Sequence, residues 1–167
     1  MKNEKSPEEI IEETLKEGGV LAEIYFDLHG SSSEIVKNIM TDTISKLTQE
    51  PGVVFAYGEI EDALEYENNL YSTYAQGRVL AKDLESLLNI CMKYAPMGIE
   101  IVKPHRMNVD AGTLQRLFLN AASFSYNFTE MYLRKTLTDK DKIEYGLKMK
   151  MREEMGKKLL EKIQKDD

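Results

Sequence analysis

The chain holds a single cysteine, Cys91, among its 167 residues, so no disulfide can form within it. It lacks any apolar run approaching the roughly twenty residues that cross a bilayer. Its start, Met-Lys-Asn-Glu-Lys-Ser-Pro-Glu-Glu, shows no hydrophobic signal region. There is no His-x-x-His, His-x-x-x-His or His-Glu-x-x-His spacing, and no Gly-x-Ser-x-Gly elbow or Ser-His-Asp order, so the common zinc-hydrolase and serine-nucleophile signatures are absent. Positive charge is also scarce: 22 Lys and Arg stand against 29 Asp and Glu, giving a net charge of -7 and a pI near 5.0. Phosphate backbones need an excess of bases on some face, so nucleic acid is excluded as the main partner. These absences predict a cytoplasmic protein with no membrane partner, no catalytic residues of a recognisable type and no cofactor.

What is present is alternation. In residues 20–30, Ala22, Ile24, Phe26 and Leu28 fall on one side, and Glu23, Tyr25, Asp27 and His29 on the other. That period of two is a half-buried strand with one polar face. Gly30 lets the backbone leave the strand, and Ser31 with Glu34 has capping-box spacing, so a helix is predicted from about Ser32 to Gln49, closed by Pro51-Gly52. Before this strand, Ser6, Pro7 and Glu9 announce a short helix that Gly18-Gly19 ends. After it, residues 52–61 and 70–82 read as two more strands, with the acidic stretch 61–69 and its Asn68-Asn69 as a hairpin tip or irregular excursion. Gly77 marks a bulge or a close backbone contact. Asp83 caps a helix whose Leu84, Leu87, Leu88, Cys91 and Met92 form an apolar stripe, which places the Cys91 thiol in a core rather than in a reactive site. Residues 97–102 read as an edge strand stopped by Pro104.

Beyond Pro104 the pattern turns helical. Residues 110–135 form a helix of about 38 Å, with a wide stripe of Leu114, Leu117, Phe118, Ala121, Phe124, Phe128, Met131 and Tyr132. Leu119, Tyr126 and Leu133 make a second stripe, spaced by seven. An outer helix of a monomer needs one seam, so the second implies another layer: the last helix folding back, or a neighbouring subunit. That last helix, residues 140–164, carries Ile143, Leu147, Met151, Met155, Leu159 and Ile163 every four residues, a row that winds around the axis. Self-association through these C-terminal helices is therefore expected.

The division that follows is an N-terminal helix over 1–19, an α+β core over 20–104 and a helical extension over 105–167. The core's β-α-β-β-α-β order, with an antiparallel sheet and both helices on one face, resembles the ferredoxin-like fold and, more narrowly, the ACT and RAM regulatory modules that use it. The resemblance implies that the turn after the first strand, here Leu28-His29-Gly30-Ser31, helps bind an amino acid at a subunit interface. Gly30 matches that pattern. The proline that commonly precedes it is replaced by His29, and residues 58–69 are longer than such a module requires.

Two sites follow from the residues. His29, Gly30, Ser31, Ser32 and Ser33 lie where a strand meets a helix N-terminus, whose unpaired N–H groups attract anions or polar ligands. On the polar sheet face, Glu23, Asp27 and His29 stand among Tyr25, Tyr57, Glu59, Tyr74, Gln76, Arg78 and Glu100, an oxygen and imidazole set suited to a divalent metal. The first site predicts a non-enzymatic, homo-oligomeric ligand-sensing or scaffold protein; the second, as the alternative, a metal-binding protein or metal-dependent enzyme.

Overall fold

A computed structural model describes residues 5–66 and 70–166. The chain divides into two compact units, residues 1–121 and 122–167. The first contains α1 (Pro7–Lys16), β1 (Val20–Gly30), α2 (Ser33–Leu47), β2 (Val53–Ile60), β3 (Leu64–Tyr66), β4 (Leu70–Ala81), α3 (Leu84–Tyr94) and β5 (Gly98–Lys103). A long helix, α4 (Ala111–Thr136), begins in this unit and continues into the second, which also holds α5 (Asp139–Asp166). The expected α+β class is what the chain adopts.

The four long strands lie in the order β2-β4-β1-β5, and every pairing is antiparallel. β1 and β4 form the centre, paired from Val20↔Ala81 through Gly30↔Tyr71. Ile24, Phe26, Ala75 and Val79 from this pair meet Met40 and Leu47 of α2 and Ile90 of α3 in one buried cluster. Since these sheet residues share one face, both helices cover the same side, as the element order requires. A second cluster joins Val20, Ala22 and Ala81 to Leu87, with Leu84 and Met107 packed against it. At the end of α2, Glu50 takes a hydrogen bond of 2.6 Å from the Tyr94 hydroxyl and an ion pair from Lys93, tying α2 to α3. Burial and the adjacent carboxylate push the Tyr94 phenol up to about 12.

The side chains on the other face are polar along its middle, from Glu23 to His29 on β1 and from Ser72 to Arg78 on β4. Leu21 and Leu80, paired across the strands, point away from α2 and α3 yet are buried. α1 contacts β1 and β4, and its half-buried Ile10, Ile11 and Leu15 give it an apolar side. The N-terminal capping box is formed: Ser6 Oγ accepts from the Glu9 N–H, and Glu9 accepts from the Ser6 N–H.

Two local expectations change, and a third is decided between its alternatives. The cap of α2 is Ser32, not Ser31: β1 keeps its pairing through Gly30, so the chain turns one residue later and Ser32 Oγ accepts from the Ile35 N–H at 3.3 Å. The acidic stretch contains β3, whose Leu64, Glu65 and Tyr66 pair with Ser72, Tyr71 and Leu70, so the edge started by β2 resumes along β4. The Asn68-Asn69 turn lies outside the described residues. Gly77 makes a close contact rather than a bulge, for Tyr57↔Arg78, Gly58↔Gly77 and Glu59↔Gln76 run in unbroken register.

In the second unit, Leu137 and Thr138 separate the helices, and Thr138 Oγ1 accepts from the Asp141 N–H at the start of α5. Leu133 and Leu137 of α4 line a cleft with Lys142, Tyr145 and Gly146 of α5. The start of α5 thus doubles back beside the last turns of α4, and Tyr145 comes within hydrogen-bonding reach of Tyr126. Most of the wider stripe is exposed, Leu117 being part-buried, and α4 contains no buried residue.

Candidate functional site

The polar sheet face holds the largest concentration of chemistry. β1 contributes Glu23, Tyr25, Asp27 and His29; β4 contributes Tyr74, Gln76 and Arg78; β2 contributes Tyr57 and Glu59, with Glu61 just beyond its end. The Glu61 N–H donates to the Tyr74 carbonyl at 2.8 Å, so the row of Tyr57, Glu59 and Glu61 continues past the last strand residue. Between the rows lies a cleft of about 400 Å³, lined by Glu23, Tyr57, Glu59, Glu61, Tyr74 and Arg78 over the Gly58–Gly77 crossing.

Gly58 explains why the strands come so near one another at this point. A Cβ there would sit 2.3 Å from the Gln76 carbonyl oxygen and 2.5 Å from the Gly77 Cα. Only glycine opposite glycine allows that approach.

Glu23 sits between Arg78 of β4 and Glu100 of β5 in the register. It turns to the cation: Arg78 Nε lies 3.4 Å from one carboxylate oxygen, and the Tyr25 hydroxyl donates to the other at 3.1 Å. Hydrogen bonds from Gln76, Tyr25 and Arg78 hold its carboxyl below the ordinary glutamate range. Arg78 is in turn held charged, by a hydrogen bond and attraction from Tyr57 and then by Glu23. Burial and Glu23 raise the Tyr25 phenol. The rings are also ordered, with Tyr25 stacked on Tyr74 at 6.3 Å and Phe55 against Tyr57 at 5.9 Å.

Of the metal set Glu23, Asp27 and His29, the structure brings two together. His29 Nε2 lies 3.3 Å from Asp27 Oδ2. Glu23 is four strand residues away, roughly 13 Å along β1, and is occupied by Arg78 and Tyr25. Among the described residues no group of three or more His, Cys, Asp and Glu is placed to hold a metal ion. Of the ligand set His29, Gly30, Ser31, Ser32 and Ser33, Ser32 is used as the cap of α2, and a Cβ on Gly30 would lie 2.7 Å from Val36 Cγ1. His29, Ser31 and Ser33 remain exposed beside the first turn of α2.

Glu61, absent from the predicted polar-face set, continues the alternation of Tyr57 and Glu59 beyond the end of β2 and lines the cleft with them. Cys91 is half-buried on α3, and burial pushes its thiol up, in keeping with a packed side chain.

A model of the MJ0538 family matches residues 21–163, which takes in β1 through most of α5. No curated protein and no solved structure matches the chain. No helix among the described residues is long and apolar enough to cross a membrane.

Proposed function

The chain belongs to the MJ0538 family, and from that premise we propose a non-enzymatic protein that self-associates through its C-terminal helices and serves as a ligand-sensing or scaffold module. The observation that carries this reading is the apolar surface left on α4 and α5. Phe118 is 70% exposed, Phe128 60%, Ile143 68% and Met151 65%, and Phe124, Met131, Tyr132, Leu147 and Met155 are exposed with them. With aromatic side chains offering about 150–250 Å² each, these rows present on the order of 1,000 Å² per chain, above the ~800 Å² that each partner of a stable complex buries. Exposed apolar rows of this total extent are unusual on a monomer in water. A second copy brings the same rows, and a two-fold pairing would cover both at once.

The sensing part of the reading draws on the order β2-β4-β1-β5, the arrangement of ferredoxin-like modules, and on His29, Ser31 and Ser33 exposed at the start of α2. A small polar ligand docked there would meet the first N–H groups of the helix. The pair of Asp27 and His29 beside it is the remnant of the metal reading, with two ligands in place of three or four.

Sedimentation velocity tests the assembly. The wild-type protein is expected as a dimer or larger species at micromolar concentration, and Phe118→Glu with Phe128→Glu is expected to give a monomer of unchanged far-UV circular dichroism. A wild-type chain that stays folded and monomeric at high concentration overturns the reading.

A further inference from the structure

The exposed rows of α4 carry an internal two-fold pattern, and we infer that a second copy of the chain lies antiparallel to the first along this helix, centred on Ser123. The inference rests on the self-association proposed above and adds to it a direction and a register. Leu114, Phe118, Ala121, Ser125, Phe128 and Tyr132 recur at steps of four, three, four, three and four, the spacing of a seam that one helix offers to another. The row reads alike from either end. Leu114 and Tyr132 each stand nine residues from Ser123, Phe118 and Phe128 five, and Ala121 and Ser125 two.

That symmetry has a physical meaning, because residues equidistant from the crossing point stand at one level in two antiparallel helices. Phe118 of one copy then meets Phe128 of the other, Leu114 meets Tyr132, and the small Ala121 and Ser125 share the centre, where they let the backbones approach. Leu117 and Met131, each seven residues from Phe124, flank the seam in the same two-fold way. A parallel pair would match sizes equally well, so charge decides the direction. Lys135 extends the seam by one step at its C-terminal end, and Asp110, which accepts from the Thr113 N–H, stands just before its N-terminal end. Antiparallel packing sets Lys135 beside the Asp110 of the other copy and opposes the two macrodipoles; parallel packing sets Lys135 against Lys135 and aligns them.

The seam is also the side that the rest of the chain leaves free. In the first unit α3 holds α4 from behind, through Glu85 with Asn120 at 2.9 Å and with Arg116 at 3.5 Å. In the second unit Glu130, Leu133, Arg134 and Leu137 line the cleft shared with α5. All of these lie roughly 100° or more around the helix from the middle of the seam. The exposed parts of Phe118, Phe124, Phe128 and Tyr132, with Leu114 and Met131, amount to on the order of 600 Å² per copy, the lower end of what each partner in a stable complex buries.

Spin labels on single cysteines in the Cys91→Ala chain test the register, at Ala122→Cys near the crossing and at Thr136→Cys at the end of α4. Dipolar electron spin resonance is expected to give a separation under about 20 Å at position 122 and of about 40 Å at position 136, where the two labels stand roughly 26 residues apart along the pair at about 1.5 Å each. Short distances at both positions mean a parallel pair and overturn the inference, as does a separation at position 136 that departs from about 40 Å by more than ~10 Å. Sedimentation velocity on the same samples keeps this result apart from the assembly reading. Dimers with no short distance at position 122 would remove the register and leave the association standing, whereas monomers would remove both. Far-UV circular dichroism of each labelled chain, matched to wild type, confirms the fold.

Discussion

Replacing Gly58 by alanine adds one carbon, and the structure fixes where that carbon must go. The new Cβ would lie 2.3 Å from the Gln76 oxygen and 2.5 Å from the Gly77 Cα, both backbone atoms of β4. β4 cannot retreat, because β1 holds its other edge along eleven residue pairs from Val20↔Ala81 to Gly30↔Tyr71. β2 must therefore move outward, stretching the ladder around Tyr57↔Arg78 and Glu59↔Gln76. Overpacking costs about 1–3 kcal/mol, and each weakened ladder bond adds about 1 kcal/mol, so Gly58→Ala is expected to destabilise the first unit by roughly 2–4 kcal/mol. Gly77→Ala meets the Tyr57 oxygen at 3.2 Å, with Gly58 Cα and Tyr57 C at an ordinary 3.8 Å, and should lose less. Gly146→Ala, in α5 with nothing within 4 Å, should instead gain about 1 kcal/mol of helix propensity. Urea unfolding followed by ellipticity at 222 nm, with each variant's midpoint set against wild type, reads these changes. A Gly58→Ala protein within about 0.5 kcal/mol of wild type would refute the pairing of β2 with β4 and, with it, the geometry of the cleft.

The two serines before α2 should part company. Ser32→Ala is expected to cost about 0.5–2 kcal/mol and Ser31→Ala close to nothing, since only Ser32 caps a backbone N–H, and urea midpoints of the pair decide it. The Glu23 carboxyl is held below its ordinary value of 4.5 in the folded chain, so its contribution is present above that value and fades as pH falls through the lower folded value. In Glu23→Gln the stability lost on acidification below about pH 4.5 should be smaller than in wild type, as read from urea midpoints in a pH series; identical slopes would show that Arg78, Gln76 and Tyr25 do not act on Glu23 as drawn.

Much of the fold was legible because its signals are local and periodic. Ala22, Ile24 and Phe26 declared an inward face, Asp83 and Ser6 declared their helix starts, and Asp110 accepts from the Thr113 N–H where the long helix was expected to begin. What the periodicity could not supply was contact between elements. Leu21 has the parity of the polar face and is buried nonetheless, because Leu80 lies beside it and α1 reaches β1 and β4 at that end. β3 is only three residues long, too short for a period to show, and owes its pairing to the length of β4 opposite it.

The same distinction governs the candidate sites. Glu23, Asp27 and His29 share parity along β1, which made them look like one set, but parity fixes a face and not a distance: four residues of extended chain hold Glu23 apart from the other two. Cross-strand register is what brings Glu23 to Arg78 and Gln76 across the ladder, while Asp27 and His29 on its own strand stay out of reach. The cleft is thus a product of three strands at once. Its decisive members, Gly58 opposite Gly77 and Glu61 beside Tyr74, acquire their roles only when β2 is laid against β4. A chemical site on an open antiparallel sheet is written across strands, and a single strand read alone gives its vocabulary without its arrangement.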